Sequence, residues 1–414
     1  MVPRIAVSNP GKLPDVHQVA RAAAAHDVLA TCFATFNPES HFSLRKLGSV
    51  PGPIGAYASR ELNRRGLGSL GKCTVECTPR EDILVALATR LLGHTSATTR
   101  LIWDRNQRLD RVVSSFLPAD STIFFGQAGA CRRSLGRAKR LNMLSVVNWN
   151  IQHWDFAKEE LSRESEVNPA WTGGRVFTHS RFPDRLTQAW RDELDTADFI
   201  LTPSTSVTES FVSRGYSPDR FWTVPYGVDS THFPPLKRDR SKADPLRVLC
   251  IGQVSQRKGV SRFFDVARRL PQCRFDWVGW RVAKLPEPPP VNVSLHFSAR
   301  DLLPFLQAAD VFLFPSLIDG FGLAVLEAMA TGLPAICSTN AGARDVIEDG
   351  QDGWVVGPRD VARMVCLLEL LADDRGLLAR MSHSARLKAE TYTWERFHKG
   401  VVDQATNAFY EQAS

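Results

Sequence analysis

The feature that most constrains this chain is an alternation. Short apolar runs rich in β-branched and aromatic residues are separated by stretches with apolar residues at helical spacing, and the pattern comes in two series. The first series of strand-like runs is 4–8, 28–33, 121–125, 144–148 and 198–202; the second is 246–251, 274–278, 293–297, 311–315, 334–337 and 353–356. Helical spacing is clear at 260–270, 299–309 and 361–371. Alternating strands and helices bury both faces of a sheet only when the sheet is parallel and helices cover it on each side. Between the two series, residues 234–245 (PPLKRDRSKADP) are proline-bracketed and almost wholly polar, which is linker composition. A chain of 414 residues is long enough for two domains of about 200 residues each. The expected class is α/β, with two doubly wound domains facing each other across a cleft: residues 1–227, a linker at 228–245, and residues 246–392. There is no internal repeat and no low-complexity tract.

No apolar run approaches the roughly 20 residues of a membrane-spanning helix, and the N-terminus lacks a basic-then-apolar leader pattern, so the expected location is cytoplasmic. Cys73 and Cys77 are the one close pair among eight scattered cysteines, one residue too far apart for a redox C-x-x-C, and no Cys/His pair follows at zinc spacing. The thiols are expected to be free and buried. The net charge of +7 is unevenly placed: residues 1–150 carry 20 Lys/Arg and 10 Asp/Glu, against 31 and 34 in the remainder. Arg132, Arg133, Arg137, Lys139 and Arg140 form the densest basic cluster. It is either a solvated helix face or a surface that attracts phosphorylated substrates, anionic lipid or nucleic acid. Little aromatic interleaving and no recognised motif argue against nucleic acid. The remaining options leave room for peripheral contact with the inner face of a membrane.

The residues that carry chemistry lie between 311 and 335. A buried strand runs into Ser316-Leu317-Ile318-Asp319-Gly320-Phe321-Gly322, then a helical stretch through Glu327, then Thr331-Gly332-Leu333-Pro334. In an open α/β sheet ligands bind beyond the carboxyl ends of the strands, where such loops gather. Two glycines at a helix start let backbone N–H groups approach an anion, and the helix dipole adds to that attraction. Asp319 and Glu327 are eight residues apart, which is about 12 Å if the intervening chain were all helix. The carboxylates of a retaining glycosidase sit roughly 5 Å apart. The spacing therefore suits the two ends of one extended ligand better than a hydrolytic pair. The plain alternative is a helix-capping Asp319 and a surface Glu327.

This stretch resembles the retaining glycosyltransferases of family 4, which have the GT-B fold. Their motif P-S-x-x-E-G-F-G-L-x-x-x-E-A-M-A-x-G-x-P is matched by Pro315-Ser316, Gly320-Phe321-Gly322-Leu323, Glu327-Ala328-Met329-Ala330, Gly332 and Pro334. Asp319 stands where the family usually has Glu. Residues 248–259 resemble the strand and loop that open the family's donor domain, with the family's lysine at Lys258 and its arginine replaced by Gln253. Thr223-Val224-Pro225-Tyr226-Gly227-Val228-Asp229 resembles its interdomain segment. Tyr392-Thr393-Trp394-Glu395-Arg396-Phe397 resembles the opening of its last helix, which implies that residues 393–414 complete the first domain.

The resemblance implies a metal-independent transferase that needs no cofactor and uses a nucleotide sugar as donor substrate. Asp319 would contact donor-sugar hydroxyls, and Glu327 the ribose hydroxyls. Lys258, with Arg257 or the backbone at Gly320, Phe321, Gly322 and Leu323, would hold the diphosphate, beside Gln253. The first domain would bind the acceptor, a lipid-linked or polysaccharide intermediate of the cell envelope. His153 either faces the donor sugar from that domain or packs between Trp149 and Trp154. A Glu-rich helical stretch, 158–166, follows it. Rival readings on the same fold are an epimerase, a phosphorylase or a non-catalytic nucleotide-binding subunit.

Overall fold

The computed structural model describes residues 2–11, 14–36, 70, 74–93, 95–171, 184–235, 243–281, 284–297, 299 and 301–413. Lys12, Cys73 and the centre of the expected linker, 236–242, lie outside the described residues.

The first half is built from β1 (Ile5–Asn9), α1 (Pro14–Ala25), β2 (Leu29–Ala34), β3 (Thr74–Glu76), α2 (Pro79–Leu92), α3 (Ser96–Phe116), β4 (Ile123–Gln127), α4 (Arg132–Arg140), β5 (Leu144–Asn148), α5 (Trp154–Val167), α6 (Asp184–Thr196), β6 (Phe199–Thr202), α7 (Thr205–Val212) and β7 (Phe221–Thr223). Among the described residues its seven strands form one sheet in the order β3-β2-β1-β4-β5-β6-β7, every pair parallel. The second half comprises β8 (Arg247–Ile251), α8 (Val260–Arg269), β9 (Arg274–Val278), β10 (Val293–His296), α9 (Leu303–Ala308), β11 (Val311–Phe314), α10 (Leu323–Ala330), β12 (Ala335–Ser338), β13 (Gly353–Val356), α11 (Val361–Asp373), α12 (Arg375–Glu390) and α13 (Trp394–Ala413). Its six strands run β10-β9-β8-β11-β12-β13, again all parallel. Each sheet is doubly wound, with its order reversing beside β1 and β8.

Every strand expected from the sequence forms within two residues of its expected ends. β11 and β12 are buried along their whole length, which is why their sequences read as unbroken apolar runs rather than alternating ones. Two strands were not expected, β3 and β7. Three residues each is too short for a period to register. The helix expected at 299–309 is shorter, because Pro304 takes an opening position where its missing N–H costs nothing. Helix α13 returns to the first half: its His398 ring hydrogen-bonds Gln18 of α1 at 2.7 Å. Among the described cysteines all thiols are free, but Cys366 is exposed and Cys77 only half-buried. Among the described residues no helix is long and apolar enough to cross a membrane.

Candidate functional site

Two loops meet beyond the carboxyl ends of β8 and β11, the adjacent strands at which the second sheet changes direction. The first loop ends in a tight turn, Gln256–Lys258, closed by Gly259. Gly259 has φ +79°, and a Cβ there would overlap the Pro315 carbonyl oxygen, so only glycine lets the loops touch. The contact is then stitched by hydrogen bonds. Leu317 N–H and Ser316 Oγ–H both donate to the Arg257 carbonyl, at 2.8 and 3.2 Å. The Arg257 guanidinium donates to the Ile318 carbonyl at 2.8 Å.

This seam brings Lys258 and Asp319, 61 residues apart in sequence, into an ion pair. Both side chains are largely enclosed, 13% and 12% exposed, and the ammonium lies 4.9 Å from the centre of the Phe314 ring. Burial, with the neighbouring Arg257 charge, drives the Lys258 ammonium well below its ordinary value; the facing Asp319 carboxylate works in the opposite direction. Removing either partner would leave an uncompensated charge in a poorly solvated site.

Helix α10 starts at Gly322, which has no side chain to cap it, and no side-chain cap is present. Its first N–H groups and the positive end of its dipole therefore face the same loops. Four residues beyond Leu323, on the same side of the helix, stands Glu327. No described residue hydrogen-bonds its carboxylate, and burial lifts its pKa to about 7. A cation, a helix N-terminus without a side-chain cap and a carboxylate with no described hydrogen-bond partner thus share one end of the domain.

Other residues expected at the site have different places. Arg257 is tied to the Ile318 carbonyl, and burial pulls its pKa down to about 10. It joins the two loops. Gln253 sits beside the turn, its amide oxygen 3.4 Å from Ser255 Oγ. Phe321 is a core residue, its ring 5.2 Å from that of Tyr226, so only its backbone can line the site.

The structure places His153 in an aromatic cluster that includes Trp154. The ring is buried against Trp154, Phe211 and Tyr216, with centroids 3.8, 5.0 and 5.9 Å away. Its Nδ1 accepts the Asp155 N–H at 3.1 Å as the N-cap of α5, and burial lowers its pKa to about 4. The residue of this loop that reaches the loop after β11 is Gln152. Its amide donates to the Asp319 and Asn340 carbonyls, both at 2.9 Å, and to Ser206 Oγ at 3.0 Å. Ser204 Oγ–H donates to the Gly320 carbonyl at 2.7 Å, and Thr205 N–H to the Asp345 carboxylate at 2.6 Å. None of these stood out in the sequence. Their one local signal is position, since each follows the end of β5 or β6, where a doubly wound domain places its functional loops.

Residues 245–374, which hold this site, match the family described as glycosyl transferases group 1. The sulfoquinovosyl transferase of Arabidopsis thaliana is 29% identical over 217 residues, 48% of this chain and 42% of that protein. The MMP alpha-(1->4)-mannosyltransferase of Mycolicibacterium hassiacum is 30% identical over 233 residues, 52% of this chain and 54% of its own. The chain thus spans about half the length of these curated relatives. Among solved structures, sucrose-phosphate synthase from Thermosynechococcus elongatus superposes with a TM-score of 0.65 at 16% identity, covering 100% of both chains. Anabaena HepE in complex with UDP and glucose superposes at 0.61 with 13% identity, covering 98% of this chain and 100% of that one. At these identities the likeness is one of fold. The matched sequence segment and the matched architecture agree: residues 245–374 are similar to the group 1 glycosyl transferases, and the chain has the two-domain Rossmann-like GT-B fold.

Proposed function

We propose that the protein is a retaining, metal-independent glycosyltransferase that moves a sugar from a nucleotide-sugar donor to a lipid-linked or cell-envelope glycan acceptor. The observation that carries the reading is the placement of Lys258, Asp319 and Glu327 around the uncapped start of α10. An extended donor fits this array end to end. Glu327 accepts hydrogen bonds from the ribose hydroxyls, Lys258 and the first N–H groups of α10 hold the diphosphate, and Asp319 meets the sugar hydroxyls. When the bond from the sugar to the diphosphate breaks, negative charge grows on the leaving oxygen, and the fixed cation and N–H dipoles stabilise it there. Lys258 exchanges its Asp319 partner for phosphate as the donor enters. Retention of configuration and independence from a metal rest on the family resemblance of residues 315–334.

Peripheral membrane contact is supported by the outward basic residues of α4, Arg133, Lys139 and Arg140, and by the exposed Leu84, Leu87 and Leu91 along α2. A cytoplasmic location at the inner membrane face fits both.

The test is a thermal-shift panel of UDP-, GDP-, ADP- and dTDP-sugars, followed by turnover of the best binder with and without Glu327→Ala. The expected result is stabilisation by one nucleotide family and loss of turnover in the variant. Undiminished turnover in Glu327→Ala would remove the site assignment. Sedimentation with anionic but not neutral vesicles checks the membrane part.

A further inference from the structure

Helix α5 belongs to the first domain, yet one whole face of it lies on the second. Ala157 and Leu161 pack with Leu317 and Ile318 of the donor-side loop. Glu160 accepts a hydrogen bond from Arg359 NH1 at 2.8 Å. Glu164 is fully buried and accepts from Arg262 at 2.9 and 3.0 Å, from Arg359 Nε at 3.1 Å, from Gln256 Nε2 at 2.6 Å and from Asn168 at 2.6 Å. These four residues recur at the i, i+3, i+4, i+7 spacing of a single helical face. Two carboxylates and two guanidinium groups make the cluster electrically neutral, as a buried charge group must be to remain ionised.

The connection to Gln256 gives the cluster a further role. Gln256 is fully buried and begins the turn that carries Lys258. Its side-chain amide is used on both sides: Nε2 donates to Glu164 and to Ser261 Oγ, each at 2.6 Å, and Oε1 accepts Ser261 N–H at 3.3 Å. Gly259 N–H then donates to the Gln256 carbonyl at 2.8 Å and closes the turn. A carboxylate supplied by one domain therefore anchors the first residue of a turn whose last residue is the candidate phosphate-binding cation of the other.

We propose that Glu164 is a positioning residue for donor binding: it locks Gln256, and through it the Lys258 turn, so that the diphosphate site is complete only while α5 is seated on the second domain. The inference rests on Lys258 holding the donor diphosphate. It explains why the seam is built from charge. An apolar seam of this size would hold the domains together equally well, whereas a hydrogen-bonded carboxylate fixes the register of the groups around it.

The experiment compares a nucleoside diphosphate with its monophosphate by calorimetry, using whichever of UDP, GDP, ADP or dTDP stabilises the full-length protein most. Four variants are measured: Lys258→Ala, Glu164→Gln, Gln256→Met and Glu160→Gln. Glu164→Gln and Gln256→Met are expected to weaken the diphosphate about tenfold, the value of one charge-assisted hydrogen bond lost, while monophosphate affinity stays within about twofold. Glu160→Gln disturbs the same seam without touching Gln256 and is expected to change neither. Gln256→Met leaves the ion cluster intact and carries the test if Glu164→Gln does not fold. If Lys258→Ala loses the diphosphate increment while Glu164→Gln and Gln256→Met keep it, the positioning role is refuted and the donor site stands. Equal weakening of mono- and diphosphate reduces Glu164 to a structural clasp and refutes it as well. If Lys258→Ala has no effect, the donor site itself is misassigned and the proposal falls with it.

Discussion

Replacing Gly320 by alanine adds one methyl group at the narrowest point between the domains. A Cβ at this position would overlap the Asn150 carbonyl oxygen, lie 2.6 Å from the Asn150 carbonyl carbon and sit 3.0 Å from Ile151 Cα. All three neighbours are backbone atoms, so no side chain can swing aside. Carbon–carbon contacts settle near 3.5–4.0 Å and the oxygen overlap is tighter still, so the loop after β5 and the loop after β11 must part by at least about 1 Å. The Gln152–Asp319 hydrogen bond, 2.9 Å long, would then stretch to about 3.9 Å and be lost. The Ser204–Gly320 bond, 2.7 Å long, bends with it. If the loops part, two or three hydrogen bonds are lost at about 1 kcal/mol each; if they do not, overpacking costs about 1–3 kcal/mol. The two routes together predict about 1–3 kcal/mol of destabilisation. For a chain of this length that is a fall of about 1–3 °C in Tm. Turnover should suffer more, because a displacement of about 1 Å between acceptor-side and donor-side groups costs about a hundredfold in rate. The control is Gly136→Ala in α4, where the nearest atom to the new methyl is 3.7 Å away. That variant should be neutral or stabilised by about 0.5–1 kcal/mol. The assay is calorimetric melting of both variants with steady-state transfer from the preferred donor. A Gly320→Ala protein that melts and turns over like the parent would refute the close apposition of these loops as the working arrangement.

Glu327 and His153 supply the remaining predictions. Burial holds the Glu327 carboxyl at about 7 rather than 4.5. Ribose hydroxyls donate to the ionised form, so nucleotide affinity is full above pH 7 and declines as pH falls through it. Between pH 8 and pH 6 the loss should be about tenfold, and Glu327→Gln should flatten the profile. The stability of the free protein runs the other way. The folded state keeps a proton that the unfolded chain has released, so the contribution of Glu327 is lost as pH rises from about 4.5 toward 7. Titration calorimetry at several pH values, paired with thermal melts, reads both slopes; a flat binding profile would separate Glu327 from the ribose. His153→Asn keeps an N-cap acceptor but removes the ring from the aromatic cluster. It should lower Tm while leaving kcat within a few-fold. Loss of about a hundredfold or more in kcat would restore His153 as an acid–base group.

Much of this arrangement was legible in the sequence, and the division between what was and was not has a physical basis. The strand–glycine–helix–glycine–proline order at 311–335 is local punctuation, so β11, α10 and the uncapped start at Gly322 follow from near neighbours. The meeting of Lys258 with Asp319 is not local, yet it follows once the sheet is known to be doubly wound, because both residues lie beyond adjacent strands at its switch point. His153 shows where such reasoning stops. It follows β5 as expected, but the chain has already entered the N-cap of α5 and has turned the ring into the core. Gln152, one residue earlier, faces the donor loop instead.

Glu164 lies further out of reach. In the sequence it is one acid among several on a Glu-rich helix, and an isolated helix keeps such acids in water because burying a carboxylate costs several kcal/mol. Only two arginines, 98 and 195 residues away, reverse that balance. A long-range ion cluster leaves no periodic trace, since its hydrophobic neighbours Ala157 and Leu161 look like an ordinary core stripe and its carboxylates like the solvated flank. The residues that define one domain could thus be read within that domain, whereas Gln152 and Glu164, which join the two, could not. On the proposed reading, with donor and acceptor on opposite domains, the second group governs whether the chemistry of the first is assembled.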